Sequence, residues 1–309
     1  MKSLKTPLRY PGGKSRACVK LDQYIPDLRD YEKYHEPFLG GGSVAIHITK
    51  KYPHLKVWVN DLYEPLCNFW RVLQDDGNAL YETLCDLKSK HPDPVYGPQK
   101  SGFEYPAKEL FLNAKDILNN NQTSNLSRAT AFYVVNKCSF SGLTESSSFS
   151  KQASKSNFSL RGIQKLPGYT KIIENWKITN LSYEQLLTDD KNTFTYLDPP
   201  YEIGSNLYGK KGSMHSGFNH DHFAVKCDRF VGPQLISYNS SQLIKERFDG
   251  WQTGEFDLTY TMRSVGEYMR EQKDRKELVL FNYNKEPKIQ VTFDGCYDYN
   301  KLKNEGLLN

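Results

Sequence analysis

The sequence predicts an α/β chain in which a mainly parallel sheet is interrupted by a mainly helical insertion. Three observations carry this. A strand–turn–helix–strand run lies between Tyr34 and Trp70, two further apolar strand runs lie at Phe194–Leu197 and Gln234–Ser237, and the stretch between these groups switches to helical periodicity. At 309 residues the chain is long enough for a full α/β core and an inserted module.

Taken in order, Glu36-Pro37-Phe38 leads into Gly40-Gly41-Gly42, and Ser43 is placed to cap a helix through Ala45, Ile48 and Lys51. Lys56-Val57-Trp58-Val59 is a compact β run ending at Asn60-Asp61. This βαβ order predicts parallel strands joined by a right-handed crossover. From Asp76 to Gly168 apolar residues recur at helical spacing, first at Leu80, Leu84 and Leu87, then from Leu110 to Leu118. A third helix is expected from Ser127 to Asn136, and the Ser-, Lys- and Gly-rich stretch after it reads as loop. Between the strands Phe194–Leu197 and Gln234–Ser237 a helix would turn Phe223, Cys227 and Phe230 inward. Glu255–Tyr260 and Glu277–Phe281 read as a terminal antiparallel pair, separated by the charged run from Arg263 to Lys276. Weak strand character at Ile289–Phe293 follows Pro287. The division this suggests is one domain from residues 1–70 and 170–286, an insertion at 71–169, and an extension of unknown role at 287–309.

Composition narrows the class. A net charge of +5 suits a nucleic-acid partner without requiring one, and 21 tyrosines and 16 phenylalanines offer rings on which bases can stack. Cys18, Cys67, Cys85, Cys138, Cys227 and Cys296 show no Cys-x-x-Cys or zinc-finger spacing, so no metal is expected. They read as thiols in a reducing compartment. No apolar run reaches membrane-spanning length, and Met1-Lys2-Ser3-Leu4-Lys5 is not followed by a signal-peptide core. The expectation is a cytoplasmic protein that engages no membrane. His220-Asp221-His222 is read as the polar start of a helix, since one element does not easily aim both imidazoles at one ion.

The glycine turn has a chemical reading. Glycines between a strand and a helix let a ligand approach the backbone, and the helix start offers free N–H groups. Asp61 ends the next strand, where a carboxylate can accept both hydroxyls of a ribose. Together they suggest a nucleoside cofactor. A phosphate-binding loop at Gly13-Lys14-Ser15 fails, because Leu8 stands where its leading glycine is needed. A dinucleotide fingerprint over Gly40, Gly42 and Ala45 remains open at this point.

Asp198-Pro199-Pro200-Tyr201 follows an apolar strand, which places it at the carboxyl edge of the sheet. The lone pair of an aromatic amine such as adenine's is delocalised and a poor nucleophile. The Asp198 carboxylate and the Pro199 carbonyl could hold its two hydrogens and aim the lone pair at a methyl carbon on sulfur. Consecutive prolines stiffen the backbone and remove N–H groups, leaving only acceptors facing the amine. Tyr201 supplies a ring for a flipped base to stack on.

With these residues assembled, the sequence resembles the Dam-type, alpha-class DNA adenine-N6 methyltransferases over roughly residues 6 to 285. Tyr10-Pro11-Gly12-Gly13-Lys14 looks like the family's amino-terminal cofactor motif, and Glu36 to Val44 is similar to its glycine motif. Asn60-Asp61-Leu62 resembles the ribose-binding motif, and Asp198 to Tyr201 the catalytic one. The resemblance implies a Rossmann-like S-adenosylmethionine-dependent methyltransferase sheet with an inserted mainly helical target-recognition domain. It implies cofactor contacts from Tyr10, Lys14, Glu36, Phe38, Gly40, Gly42, Asp61, Leu62 and Asp198. Tyr10 would lie against the cofactor adenine, Lys14 at its polar end, and Asp198 beside its methionine moiety. The partner implied is double-stranded DNA, bound by a monomer or weak dimer.

Asn136 to Glu145 resembles the family's DNA-reading loop, with Asn136 and Lys137 at its start and Phe140 where an apolar wedge enters the base stack. Ser141 stands in place of an asparagine. Glu145 replaces an arginine that reads guanine, and a carboxylate can only accept, for example from cytosine. GATC specificity is therefore not implied. Arg9, Asn157, Phe158 and Arg161 are further candidates for the DNA backbone, and Lys273 to Lys276 lies near a charged family loop. The nearest rivals keep the fold but change the acceptor to cytosine N4, RNA or a protein glutamine, or abandon catalysis for DNA-binding regulation.

Overall fold

A computed structural model describes residues 4–10, 12–92, 106–120, 122–142, 147–202, 217–257 and 276–284. The described residues form one seven-stranded sheet in the order β3-β2-β1-β4-β5-β7-β6. The strands are β1 Lys33–Glu36, β2 Lys56–Asn60, β3 Lys177–Thr179, β4 Thr193–Leu197, β5 Gln234–Asn239, β6 Gln252–Asp257 and β7 Lys276–Phe281. From β3 to β5 all neighbours are parallel, whereas β7 runs antiparallel to both β5 and β6. β4 is buried along its whole length, as expected of a central strand covered on both faces.

Strand order reverses direction at β1 and β4, whose registered residues include Tyr34 with Phe194 and His35 with Thr195. Their carboxyl ends therefore open on the crevice where such sheets bind ligands. The glycine turn leaves β1 there, and Asp198 follows β4 there.

α1 (Cys18–Leu21) packs under α2 (Ser43–Lys51), which starts after Gly42. The sequence placed Ser43 as the cap; instead Gly42 holds that position with φ +67°, and Ser43 is the first helical residue. A left-handed cap favours glycine over serine, so the turn's own geometry decides the boundary. α3 (Glu64–Asp75) carries Pro65 in its first turn, where its missing N–H costs nothing.

Between α3 and β3 the described residues are mainly helical: α4 (Gly77–Lys90), α5 (Pro106–Leu118), α6 (Asn125–Cys138), α7 (Lys151–Asn157), α8 (Leu160–Ile163) and α9 (Leu166–Ile173). The stretch expected as loop after α6 folds in part into α7 and α8. Its serines act as caps: Ser150 accepts from the Ala153 amide and Ser159 from the Gly162 amide. α6 packs against α3 through Phe69, whose ring lies 5.6 Å from Phe132 and stacks on Tyr133 at 6.0 Å. These rings belong to the apolar core that also holds Tyr34 and Phe194 of the sheet.

α10 (His220–Asp228) buries Phe223 and Cys227, while Phe230 falls beyond its end and is partly buried. α11 (Gln242–Arg247) leads to β6 and the antiparallel β7. Leu258 to Tyr260, the charged run up to Arg275, and Ile289 to Phe293 lie outside the described residues. No described helix is long and apolar enough to cross a membrane.

Candidate active site

The turn after β1 is built around rings. Gly40 and Gly42 have φ of +48° and +67°. A Cβ on Gly42 would come within 2.7 Å of the buried Trp70 ring, and one on Gly40 within 2.9 Å of Tyr10. Tyr10 thus lies over the turn and Trp70 beneath it, with the Trp70 indole N–H donating to the Gly40 carbonyl at 3.3 Å. No side chain larger than hydrogen fits between them.

Asp61 ties this turn to β2. Its carboxylate accepts the Gly40 amide at 2.9 Å and the Tyr63 amide at 3.0 Å. Burial pushes its carboxyl up to about 6, against the opposing pull of these backbone N–H groups. The adjoining Leu62 is 64% exposed, an apolar side chain held beside the acid. Glu36, by contrast, points inward. It accepts the Tyr34 hydroxyl at 2.5 Å, and burial holds its carboxyl well above the usual range. Phe38 stacks on Tyr183 at 5.4 Å and meets Phe218 and Phe223 edge-on, forming an aromatic wall beyond the turn.

Across the crevice, Asp198 keeps 23% side-chain exposure although protein atoms surround it on most sides. Both its oxygens accept from Lys14 Nζ, at 2.8 and 2.9 Å. The same ammonium donates to the Tyr201 hydroxyl at 2.7 Å and to the Gly12 carbonyl at 3.2 Å. Burial raises the Asp198 carboxyl to about 6; Lys14 opposes that rise, and the negative charge of Glu277 reinforces it. The Tyr201 ring stacks with Tyr238 at 5.9 Å, and Lys14 Nζ lies 4.8 Å from its centroid. Pro199 and Pro200 connect Asp198 to Tyr201 without a backbone donor.

Glu277 was not singled out as functional by its sequence. It is 1% exposed on β7, 3.2 Å from Lys14 Nζ, and accepts the Tyr201 hydroxyl at 2.5 Å. The available signal was an acid opening the apolar run Leu278–Phe281, a costly choice for an interior strand. Lys14, expected at the cofactor's polar end, is found between Asp198 and Glu277.

The recognition candidates divide. Asn136 is fully buried; its oxygen accepts the Arg9 amide at 2.9 Å, and its nitrogen donates to the carbonyls of Arg9 and Gly142. It presents its amide to the protein backbone rather than to the surface. Arg9 donates from its guanidinium to the Ser139 carbonyl at 2.9 Å and is half-buried, and burial lowers its pKa. Lys137 is buried with Nζ 5.2 Å from the Tyr133 centroid; burial, with Arg9 nearby, lowers it to about 7. Phe140 is 47% exposed on the short turn Phe140–Gly142, which also contains Ser141. Arg161 is exposed on α8 and Asn157 bonds within α7, while Phe158 is fully buried. Glu145 and Lys273 lie outside the described residues.

His220 and His222 take different partners, the Tyr238 hydroxyl at 2.6 Å and Glu184 at 3.1 Å. Among the described residues no group of three His, Cys, Asp or Glu could hold a metal ion.

The chain has recognisable relatives. Type II methyltransferase M.MjaIII of Methanocaldococcus jannaschii is 28% identical over 211 residues, covering 64% of this chain and 70% of that protein. Type II methyltransferase M.CviBI of Paramecium bursaria Chlorella virus NC1A is 21% identical over 291 residues, 91% of this chain and 100% of that protein. Type II methyltransferase M1.LlaDCHI of Lactococcus lactis subsp. cremoris is 21% identical over 306 residues, 91% and 96%. Residues 10–262 match the profile of the D12 class N6 adenine-specific DNA methyltransferases. The chain belongs to that family, a family of enzymes that draw their methyl group from S-adenosylmethionine.

Proposed function

We propose that this enzyme methylates the N6 amine of adenine at a specific sequence in duplex DNA, acting on a base turned out of the helix by direct in-line transfer. The observation that carries the reading is Asp198, a partly open carboxylate at the switch point of the sheet, followed by a donor-free Pro199-Pro200 backbone.

The crevice fits a nucleoside cofactor. Tyr10 and Trp70 leave no room for a Cβ on the glycine turn, and Asp61 sits where ribose hydroxyls could donate to it. Leu62 supplies apolar surface for a purine. When bound, S-adenosylmethionine supplies an electrophilic methyl carbon on a sulfonium. Asp198 accepts one hydrogen of the target amine and the Pro199 carbonyl the other, aiming the lone pair. Positive charge developing on the amine nitrogen falls beside the Asp198 carboxylate. Pro200 stiffens this acceptor surface and Tyr201 borders it, while Glu36 holds the start of α2 from below the turn.

Residues 71–169 are assigned to target recognition and residues 1–70 with 170–286 to catalysis. Phe140, exposed on its turn, serves as the wedge that supports base flipping, an unstacking step that costs a few kcal/mol. Arg9 and Arg161 supply positive charge toward phosphates, while Lys137 is buried against the Tyr133 ring behind Arg9. Asn136 holds Arg9 and the turn in place, and Ser141 and Glu145 contribute to sequence choice. The enzyme acts as a monomer or weak dimer in the cytoplasm; no disulfide joins the described cysteines.

The test is transfer from labelled S-adenosylmethionine to duplexes of varied sequence, followed by nucleoside digestion and mass analysis. N6-methyldeoxyadenosine is expected. N4-methyldeoxycytidine would move the acceptor to cytosine, and cofactor binding without any incorporation would sink the proposal.

A further inference from the structure

A carboxylate is an expensive residue at the start of β7. Glu277 pairs with Asn239 of β5 on one side and Phe256 of β6 on the other, so it lies inside the sheet rather than at its rim. Its side chain is 1% exposed, and an apolar residue would serve the strand equally well. Its contacts reach the reaction centre, with Lys14 at 3.2 Å and the Tyr201 hydroxyl at 2.5 Å.

We propose that Glu277 is a positioning residue for methyl transfer, holding the Lys14 ammonium and the Tyr201 hydroxyl so that Asp198 faces the amine as a net acceptor. This rests on Asp198 being the acceptor of the amine hydrogen. With Lys14 as its sole partner, Asp198 would form a neutral ion pair, a weak stabiliser of positive charge on nitrogen. Glu277 shares the same ammonium, so the cluster of Lys14, Asp198 and Glu277 carries one net negative charge. Tyr201 completes the frame. Its hydroxyl accepts from Lys14 and donates to Glu277, which pins the ring and with it the backbone running back to the Pro199 carbonyl. Among the described residues, the other titratable groups toward Asp198 include Tyr201 of the same turn, Tyr196 of β4 and Glu36 of β1. Burial disfavours the charged form of Tyr196 and Glu36, whereas Glu277 has the Lys14 ammonium at 3.2 Å to hold its charge.

Glu277→Gln keeps the shape and removes the charge. Its kcat on duplex DNA should fall about tenfold or more, while S-adenosylmethionine affinity by calorimetry and KM for DNA stay within about threefold. Loss of a neighbouring anion lowers the Asp198 pKa. A ¹³C-carboxylate NMR titration of the enzyme without DNA or donor should therefore show the Asp198 midpoint displaced to lower pH. The acid limb of kcat should move with it. Glu277→Asp, which restores the charge, should recover part of the rate. Wild-type kcat in Glu277→Gln, an unmoved Asp198 midpoint, or an equal collapse of cofactor affinity overturns the assignment. The titration needs no methyl transfer, so it fails or holds separately from the adenine reading. A wild-type enzyme that never methylates DNA would overturn that reading alone.

Discussion

Asn136 and Arg9 are joined by a reciprocal pair of hydrogen bonds: the Arg9 amide donates to the Asn136 side chain at 2.9 Å, and that side chain donates back to the Arg9 carbonyl at 2.6 Å. The pair clasps the segment leading to Tyr10 and Lys14 onto the last turn of α6. A third bond, to the Gly142 carbonyl at 3.0 Å, carries the clasp into the turn bearing Phe140. One buried amide thus links the amino-terminal arm to the element expected to meet DNA. Asn136→Ala should cost about 1–3 kcal/mol of stability, because buried backbone groups lose their partners. It should raise KM for DNA more than it weakens S-adenosylmethionine binding. Parallel melting, calorimetry and steady-state assays separate the three effects.

The acid limb of activity should lie near pH 6. Asp198 must be ionised to accept the amine hydrogen, and its carboxyl is raised to about 6. The rate therefore holds above that value and is lost as pH falls through it. The stability linkage has the opposite sense. A carboxyl whose folded pKa is raised contributes stability that is full below about pH 4 and lost as pH rises through about 6. Asp198→Asn should abolish the pH-dependent part of the rate and cost at least about two orders of magnitude in kcat. A pH–rate profile of both proteins checks this, and a variant as active as the wild type would contradict it.

Lys137 should destabilise the fold in acid. Burial, with Arg9 nearby, lowers its pKa to about 7, so the folded chain favours the neutral amine. Its stability contribution is full above the unfolded pKa of about 10.4 and lost as pH falls through about 7. Lys137→Met should accordingly melt higher than the wild type at pH 6, by roughly 1–3 kcal/mol, with the gap closing toward pH 10. Thermal melts across that range measure the difference.

Gly42→Ala should be the most damaging of the single-methyl additions to the turn. Its φ of +67° disfavours any side chain, and the new Cβ would meet the ring of Trp70, which is fully buried. A stability loss of about 1–3 kcal/mol is expected, with weakened cofactor binding. Gly40→Ala would meet the partly exposed Tyr10 ring instead, so it should affect cofactor affinity more than folding. Melting and calorimetry on the two variants test the contrast.

The parts of the fold legible in the sequence were those with a short-range signature. β2, β4 and β5 announced themselves as apolar runs, and Asp61 and Asp198 stood just past strand ends. The stretch after α6 misled because Ser150 and Ser159 serve equally as loop residues and as caps, and only their bonds to Ala153 and Gly162 distinguish the two. Glu277 looked like the polar margin of a strand. Its meaning depends on Lys14 at the other end of the chain, a pairing that no local pattern encodes. Asn136 was singled out by position, but the inward turn of its amide follows from Arg9, again remote in sequence.

The place of β7 has a consequence for how the enzyme comes into being. β6 is made first yet, among the described strands, pairs only with β7, which threads between it and β5. During synthesis β6 therefore gains its strand partner only when residues 276–281 emerge. The same late segment delivers Glu277 to Lys14. A nascent chain halted before that strand would carry the glycine turn, Asp61 and Asp198, and still lack the counter-charge of its own reaction centre.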